Sequence, residues 1–272
     1  MDKFRIGHTG ITWGYQAAQM EEALRDTAEL GYRAFETFGS VLEQFERDRP
    51  GGFGALLQRY GIPLSAAYCG TAFYDPAQGE ADVEQVAKWA DVAKSLGATT
   101  IVLQGGQRRA EPYTQWEGMA SVFNEIARRV AGLGMITALH PHTGTLIETE
   151  AEIDAILAAV DPRLVSFAPD TGQIQKGGGD AVAVLRRHKA RIGHVHLKDY
   201  GGGRETGYAG YEPIGSGMID MAAIFQVLAE GNFSGWVMVE LDSTPSAPRP
   251  PREAAAMSRR YLAKLLGDRA QW

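Results

Sequence analysis

The sequence predicts one α/β domain over residues 1–272, a (β/α)8 TIM barrel. Three observations carry that expectation. Short β-rich runs alternate with amphipathic helical stretches eight times, and strands alternating with helices of this length imply a parallel sheet. The 272 residues suit a closed barrel, which typically needs about 250. The first run is followed by "GHTGITWG", which has glycines but lacks the G-x-G-x-x-G spacing that a doubly wound, dinucleotide-binding sheet places there.

Each unit has its own signals. The first strand is expected over Phe4–His8, with a helix over Met20–Leu30 that brings Met20, Ala23, Leu24 and Thr27 to one face and stops at Gly31. Ala34–Phe38 and Val41–Tyr60 form the second unit, stopped by Gly61 and Pro63; Leu64–Cys69 and Ala81–Leu96 form the third, stopped by Gly97. Thr99–Gln104 with Thr114–Leu133 and Met135–His140 with Glu150–Ala159 follow, Thr149 being suited to cap the latter helix. The remaining strands are Leu164–Asp170, Ile192–Tyr200 and Gly235–Leu241, and their helices Asp180–His188, Met218–Glu230 and Arg252–Leu266.

Composition narrows the partners. A net charge of −6 favours a small molecule over nucleic acid. The single cysteine, Cys69, excludes an internal disulfide framework and a cysteine-based zinc site, and it reads as packing. The N-terminus lacks an apolar signal core and no apolar run approaches a membrane span, so a cytoplasmic location without membrane contact is expected, and a homo-oligomer is open.

In such a barrel, polar residues at the C-terminal ends of strands read as functional. His8, Glu36, Gln104, His140 with His142, Asp170, His196 and Glu240 all fall there. His140, Asp170, His196 and Glu240, from four successive strand ends, form a candidate metal shell. Two imidazoles and two carboxylates suit Mn2+, Co2+, Fe2+ or Zn2+ better than Ca2+. Singly, each has a plainer reading: His196 as a satisfied core histidine, Asp170 in "PDTG" as a turn cap, Glu240 as the partner of an arginine. Trp13, in the glycine-rich loop after the first strand, is either core or pocket wall; Tyr68 reads as core. In "IGHVHLKDY", His194 and His196 share one strand face.

These residues carry a resemblance. "FAPDTGQIQKGGGDAVAVLRRHKARIGHVHLKDY" and "PIGSGMIDMAAIFQVLAEGNFSGWVMVELD" resemble the closing half of the xylose-isomerase-like sugar isomerase/epimerase barrels. "HPHTGTLIETEAEID" looks most like the inosose dehydratase branch. The resemblance is strong from about residue 100 onward and weak before it. It implies one divalent ion, Mn2+ or Co2+ first and Zn2+, Fe2+ or Mg2+ next, on His140, Asp170, His196 and Glu240. It also implies that His194 sits one pleat below His196 as support, fixing a neighbouring carboxylate, and that Lys198 and Asp199 reach the mouth. Two departures stand out. Family epimerases use paired glutamates, and here the fifth strand ends in His140 instead. The family's Asp-Thr-Gly-His is Asp-Thr-Gly-Gln here, and Gln173 can still hydrogen-bond a hydroxyl.

The implied activity is proton abstraction next to a metal-bound carbonyl of a keto-polyol or ketose. Dehydration of a 2-keto-inositol is the first choice; isomerisation or 3-epimerisation of a keto-sugar is the alternative. His142, Glu36, Lys198 and Glu240 are the candidate acid–base residues. His8, Trp13, Gln104, Gln173, Asp199 and Arg204 are the candidate substrate contacts. The long segment Lys198–Gly217, with Gly201–Gly203, Arg204, Tyr208 and Tyr211, reads as a lid. An apurinic-site endonuclease of the same barrel type would need early histidines, and none occurs between His8 and His140. A sugar-binding barrel without chemistry is opposed by the intact metal quartet.

Overall fold

The computed structural model describes residues 3–71, 79–203, 209–242 and 249–272. The barrel strands are β1 (Phe4–Thr9), β2 (Phe35–Phe38), β3 (Leu64–Cys69), β4 (Thr100–Gln104), β5 (Ile136–His140), β6 (Val165–Phe167), β7 (Val195–Leu197) and β8 (Trp236–Val239). Consecutive strands from β1 to β6 pair in parallel, β8 pairs with both β1 and β7, and single bridges Phe167↔Ile192 and Asp170↔His196 join β7 to β6. The result is a (β/α)8 barrel. A short segment, Ala270–Gln271, adds to the start of β1.

The two strand faces bury different things. Ile6, Phe35, Leu64, Ile101, Leu103, Leu139, Phe167, Val195, Leu197, Val237 and Val239 belong to the large apolar cluster shared with the helices. The opposite parity fills the barrel with small residues, Ala66, Val102, Ala138 and Ala168. Gly7 belongs to that interior: a Cβ there would lie 2.7 Å from Met238 Sδ and 2.8 Å from the Ala34 carbonyl. Close packing of this kind fixes side-chain direction at the strand ends.

The helices follow the glycine and cap signals, with two differences. Residues 41–60 are two helices, Gly39–Asp48 and Gly52–Tyr60. Pro50 bars a continuing helix, and Gly51 at φ 72° takes a left-handed turn that only glycine adopts freely. A short helix, Thr171–Lys176, follows β6 and is capped by the Asp170 side chain, which accepts from Gln173 N at 2.8 Å. Thr149 caps Glu150–Ala159 in a capping box with Glu152. Among the described residues no helix is long and apolar enough to cross a membrane.

Candidate active site

The inward-facing residues at the C-terminal strand ends converge around a cavity of ≈ 110 Å³. One wall is aromatic: Tyr15, Phe38 and Tyr68 run side by side, ring centroids 5.8 and 5.4 Å apart, beside Ile11. The other carries His142, His196, Glu240 and Asp242. Gln104 lies between them and accepts from the Tyr68 hydroxyl at 2.8 Å.

Beside this cavity lie buried polar atoms without partners. His140 is fully buried, and neither ring nitrogen has a hydrogen-bond partner. A neutral imidazole has one N–H and one lone pair, so both needs are unmet, a penalty of about 1–3 kcal/mol per group. Burial, reinforced by the positive charge of His196, holds His140 well below the usual imidazole range, so its ring is neutral. Asp170 Oδ2 and His196 Nδ1 also lack hydrogen bonds. Each does have a close ionic neighbour, Lys198 Nζ at 3.0 Å and Glu240 Oε2 at 2.9 Å; the proximity is real, but neither contact has hydrogen-bond alignment. One ligand atom from each of His140, Asp170 and His196 lies within 4.8 Å of the others, as ligands about 2.0–2.3 Å from a shared ion would. These residues therefore fit a divalent metal. Glu240, expected as the fourth ligand, falls outside that group: Lys198 Nζ holds its Oε1 at 2.7 Å.

Lys198 is the second feature. It is fully buried, with Nζ at 2.7–3.0 Å from Glu240, Asp242 and Asp170 and 4.8 Å from the Tyr211 ring centre. Burial opposes its charge, but the three carboxylates outweigh it and raise its pKa well above normal. Lys198 therefore stays an ammonium and is no general base, contrary to one of its expected roles. Four carboxylates, Glu36, Asp170, Glu240 and Asp242, are buried around this one lysine and the histidines. Such an excess of buried negative charge is costly unless a cation joins it, which again fits a divalent ion.

Glu36 is also unsuited to be the base. Both oxygens are engaged, by His194 Nε2 and His196 Nε2 at 2.8 Å each. Burial alone would raise its pKa; the two histidines overcome this and lower it to about 2. His142 remains. Its Nδ1 lies 2.7 Å from the Thr143 carbonyl, which can only accept, so Nδ1 carries the proton and Nε2 accepts from Gln173 Nε2 at 3.0 Å. Gln173 Oε1 accepts from the hydroxyls of Thr143 and Tyr211.

Three expected substrate contacts lie elsewhere. His8 is on the outer face of β1, wedged between Trp13 and Tyr32, and burial lowers its pKa to about 4; Thr9 takes the inward position instead. Trp13 donates to Asp26 on the first helix at 3.1 Å, in the helix layer. Asp199 has the parity opposite to Lys198 and accepts from the backbone N–H groups of Tyr200, Gly215, Gly217 and Ile219. It anchors the connection after β7, whose ends form a hairpin, Asp199–Tyr200 with Tyr211–Glu212. Arg204 and Tyr208 lie outside the described residues. Asp242 and Tyr68 are cavity residues that the sequence reading missed; Asp242 stands two positions past Glu240, beyond the end of β8, and lines the same cavity.

A barrel whose strand ends gather histidines and carboxylates beside a cavity defines a class, and the chain belongs to it: the xylose isomerase-like TIM barrel family, matched over residues 24–265. Within that family it is 30% identical to inosose dehydratase from Geobacillus kaustophilus, over 98% of this chain and 96% of the relative. Among solved structures it is similar to the probable 3-DHS dehydratase AsbF of Bacillus anthracis, with a TM-score of 0.78, 16% identity, and 97% and 99% of the two chains covered. It is also similar to the IOLI protein solved with a zinc atom, with a TM-score of 0.79, 16% identity and the same coverage. At these identities the structural likeness is one of fold.

Proposed function

We propose that the chain is a divalent-metal-dependent lyase that dehydrates a 2-keto-inositol. The observation that carries this reading is the meeting of unpartnered buried atoms of His140, Asp170 and His196 beside a cavity sized for a small molecule. The inosose dehydratase relative supports the substrate class, and the zinc-bound neighbour supports a metal. The aromatic wall supports a cyclic substrate, since a ring polyol has a C–H face that packs on Tyr15, Phe38 and Tyr68.

His140, Asp170 and His196 would hold the ion, with Glu240 adjacent; when bound, it supplies Lewis-acid stabilisation of charge on the substrate carbonyl. The protein's own groups do the rest. His142 takes the proton next to the ketone on Nε2, which Gln173 occupies in the free protein. Lys198 keeps Asp170, Glu240 and Asp242 oriented and offsets their charge. The overall change breaks one C–H and one neighbouring C–O bond, forms C=C, and releases water. Incubation with 2-keto-myo-inositol and Mn2+ or Co2+ should give a product lighter by one water. Recovery of an epimer carrying deuterium from heavy water, with no dehydrated product, would favour the epimerase alternative and leave the metal site standing.

A further inference from the structure

We infer that Glu36 is a positioning residue that fixes the tautomer of His196 in its neutral, ligating form, holding the proton on Nε2 so that Nδ1 is the nitrogen left for an ion. The inference rests on the metal reading above for its purpose, though not for its geometry.

Glu36 and His196 come from β2 and β7 and meet inside the barrel, both almost wholly buried. A carboxylate only accepts hydrogen bonds, so the Nε2 atoms of both His194 and His196, each 2.8 Å from a Glu36 oxygen, carry hydrogen. The choice matters because His196 has a second carboxylate at its other nitrogen, Glu240 Oε2 at 2.9 Å from Nδ1. Burial opposes the charge of this ring, but Glu36 and Glu240 outweigh it and raise its pKa well above the usual imidazole range; once the ring gives up a proton to serve as a ligand, the two carboxylates compete for the one that remains. If Glu240 held it on Nδ1, the nitrogen that has no hydrogen-bond partner would be blocked. Glu36 has the advantage that His194 pins its second oxygen, so the carboxylate cannot turn away. His194 is therefore a brace rather than a ligand, and the chain His194–Glu36–His196 spans the barrel from β7 to β2 and back. Partners of this type fix ring orientation at metal sites generally, and their loss costs about 10–100-fold in metal affinity.

The test uses Glu36→Gln, close to isosteric, in the full chain. Its amide has one accepting and one donating end, so it satisfies only one of the two Nε2–H groups. Long-range 1H–15N spectra of metal-free protein labelled at histidine, taken where the ring is neutral, should show His196 protonated at Nε2 in the wild type and shifted toward Nδ1–H in the variant. Zn2+ affinity, read by chelator competition, should fall about 10–100-fold, with the melting temperature of the metal-free protein monitored to register any general loosening. If the variant does not fold, His194→Gln, which frees one Glu36 oxygen, should give a smaller loss in the same direction. A wild-type spectrum with His196 protonated at Nδ1 alone, or unchanged Zn2+ affinity in Glu36→Gln, overturns the inference. If the wild type itself binds no Zn2+ yet shows the Nε2–H tautomer that Glu36→Gln disrupts, the metal reading fails and the tautomer control by Glu36 stands.

Discussion

The two halves of the barrel mouth are built from different materials. From β1 to β4 the cavity-facing residues are Thr9, Phe38, Tyr68 and Gln104, neutral and largely aromatic, with Glu36 as their one charge. From β5 to β8 they are His142, His196, Glu240 and Asp242, with His140, Asp170 and Lys198 buried beside them. The second half carries charge that is only partly balanced within itself, whereas the first half is balanced and shaped. Reactivity and shape are thus assigned to separate strands, and Glu36 is the point where the first half reaches into the second. The histidines make the same contrast: His8, in the first half, is packed outward and neutral, while in the second half His140 has no partner at either nitrogen and His196 has none at Nδ1.

The sharpest way to break this division is to remove a proposed ligand from the charged half. His140→Ala should abolish metal binding, read by elemental analysis, together with activity. His142→Ala should leave the metal in place and slow turnover about 10²–10⁴-fold. If His142→Ala also lost metal, the separation between ligand and acid–base group would be gone.

Lys198→Met tests the charge balance. It leaves Asp170, Glu240 and Asp242 facing one another without their ammonium, and breaking a buried pair of this kind costs about 3–5 kcal/mol. Urea denaturation with EDTA should register that loss. Added Mn2+ should recover more stability in the variant than in wild type, because the ion then offsets a larger excess of negative charge.

His8 sharpens the contrast from the quiet side. Its pKa of about 4 in the folded chain lies below the ordinary 6.5. The unfolded chain therefore takes up the proton first as pH falls. The stabilisation is complete above about pH 6.5 and is lost toward pH 4, at up to about 1.4 kcal/mol per pH unit for one proton. His8→Phe should flatten stability measured against pH across that window. An unchanged slope would mean that His8 is not held neutral.

The smallest effect belongs to the aromatic wall. Phe38→Leu should raise KM for a cyclic keto-polyol several-fold, about 1 kcal/mol of packing, with metal affinity unchanged. A fall in kcat alone would show that the first half takes part in the chemistry after all.

The fold was legible because strand parity and glycine stops are local signals; the break at Pro50–Gly51 was local too, and the long apolar pattern around it masked it. The charged half of the mouth was legible because burying a histidine or carboxylate at a strand end costs free energy that packing alone does not return. His8 misled, although Phe4 and Ile6 share its face and that face packs on helices. Asp199 misled in the same manner, one residue out of step with Lys198. Asp242 was within reach of the alternation rule applied once more past Glu240. The Glu36 contact with His194 and His196 was not readable, since it joins residues 158 and 160 positions apart across the barrel, and no local pattern encodes which strands face each other.

The ring closure has a consequence for how the chain is made. One edge of β1 finds its partner only in β8, the last strand of the ring, while Ala270–Gln271 pairs with Phe4 and Arg5 on the other edge. On the ribosome, β1 to β6 can assemble in order while that edge, with its unpaired N–H and C=O groups, remains open until β8 has been made. Exposed strand edges recruit other strands. A nascent or truncated chain ending before Trp236 is therefore an open ring with a sticky edge, and β8 is the latch that removes it.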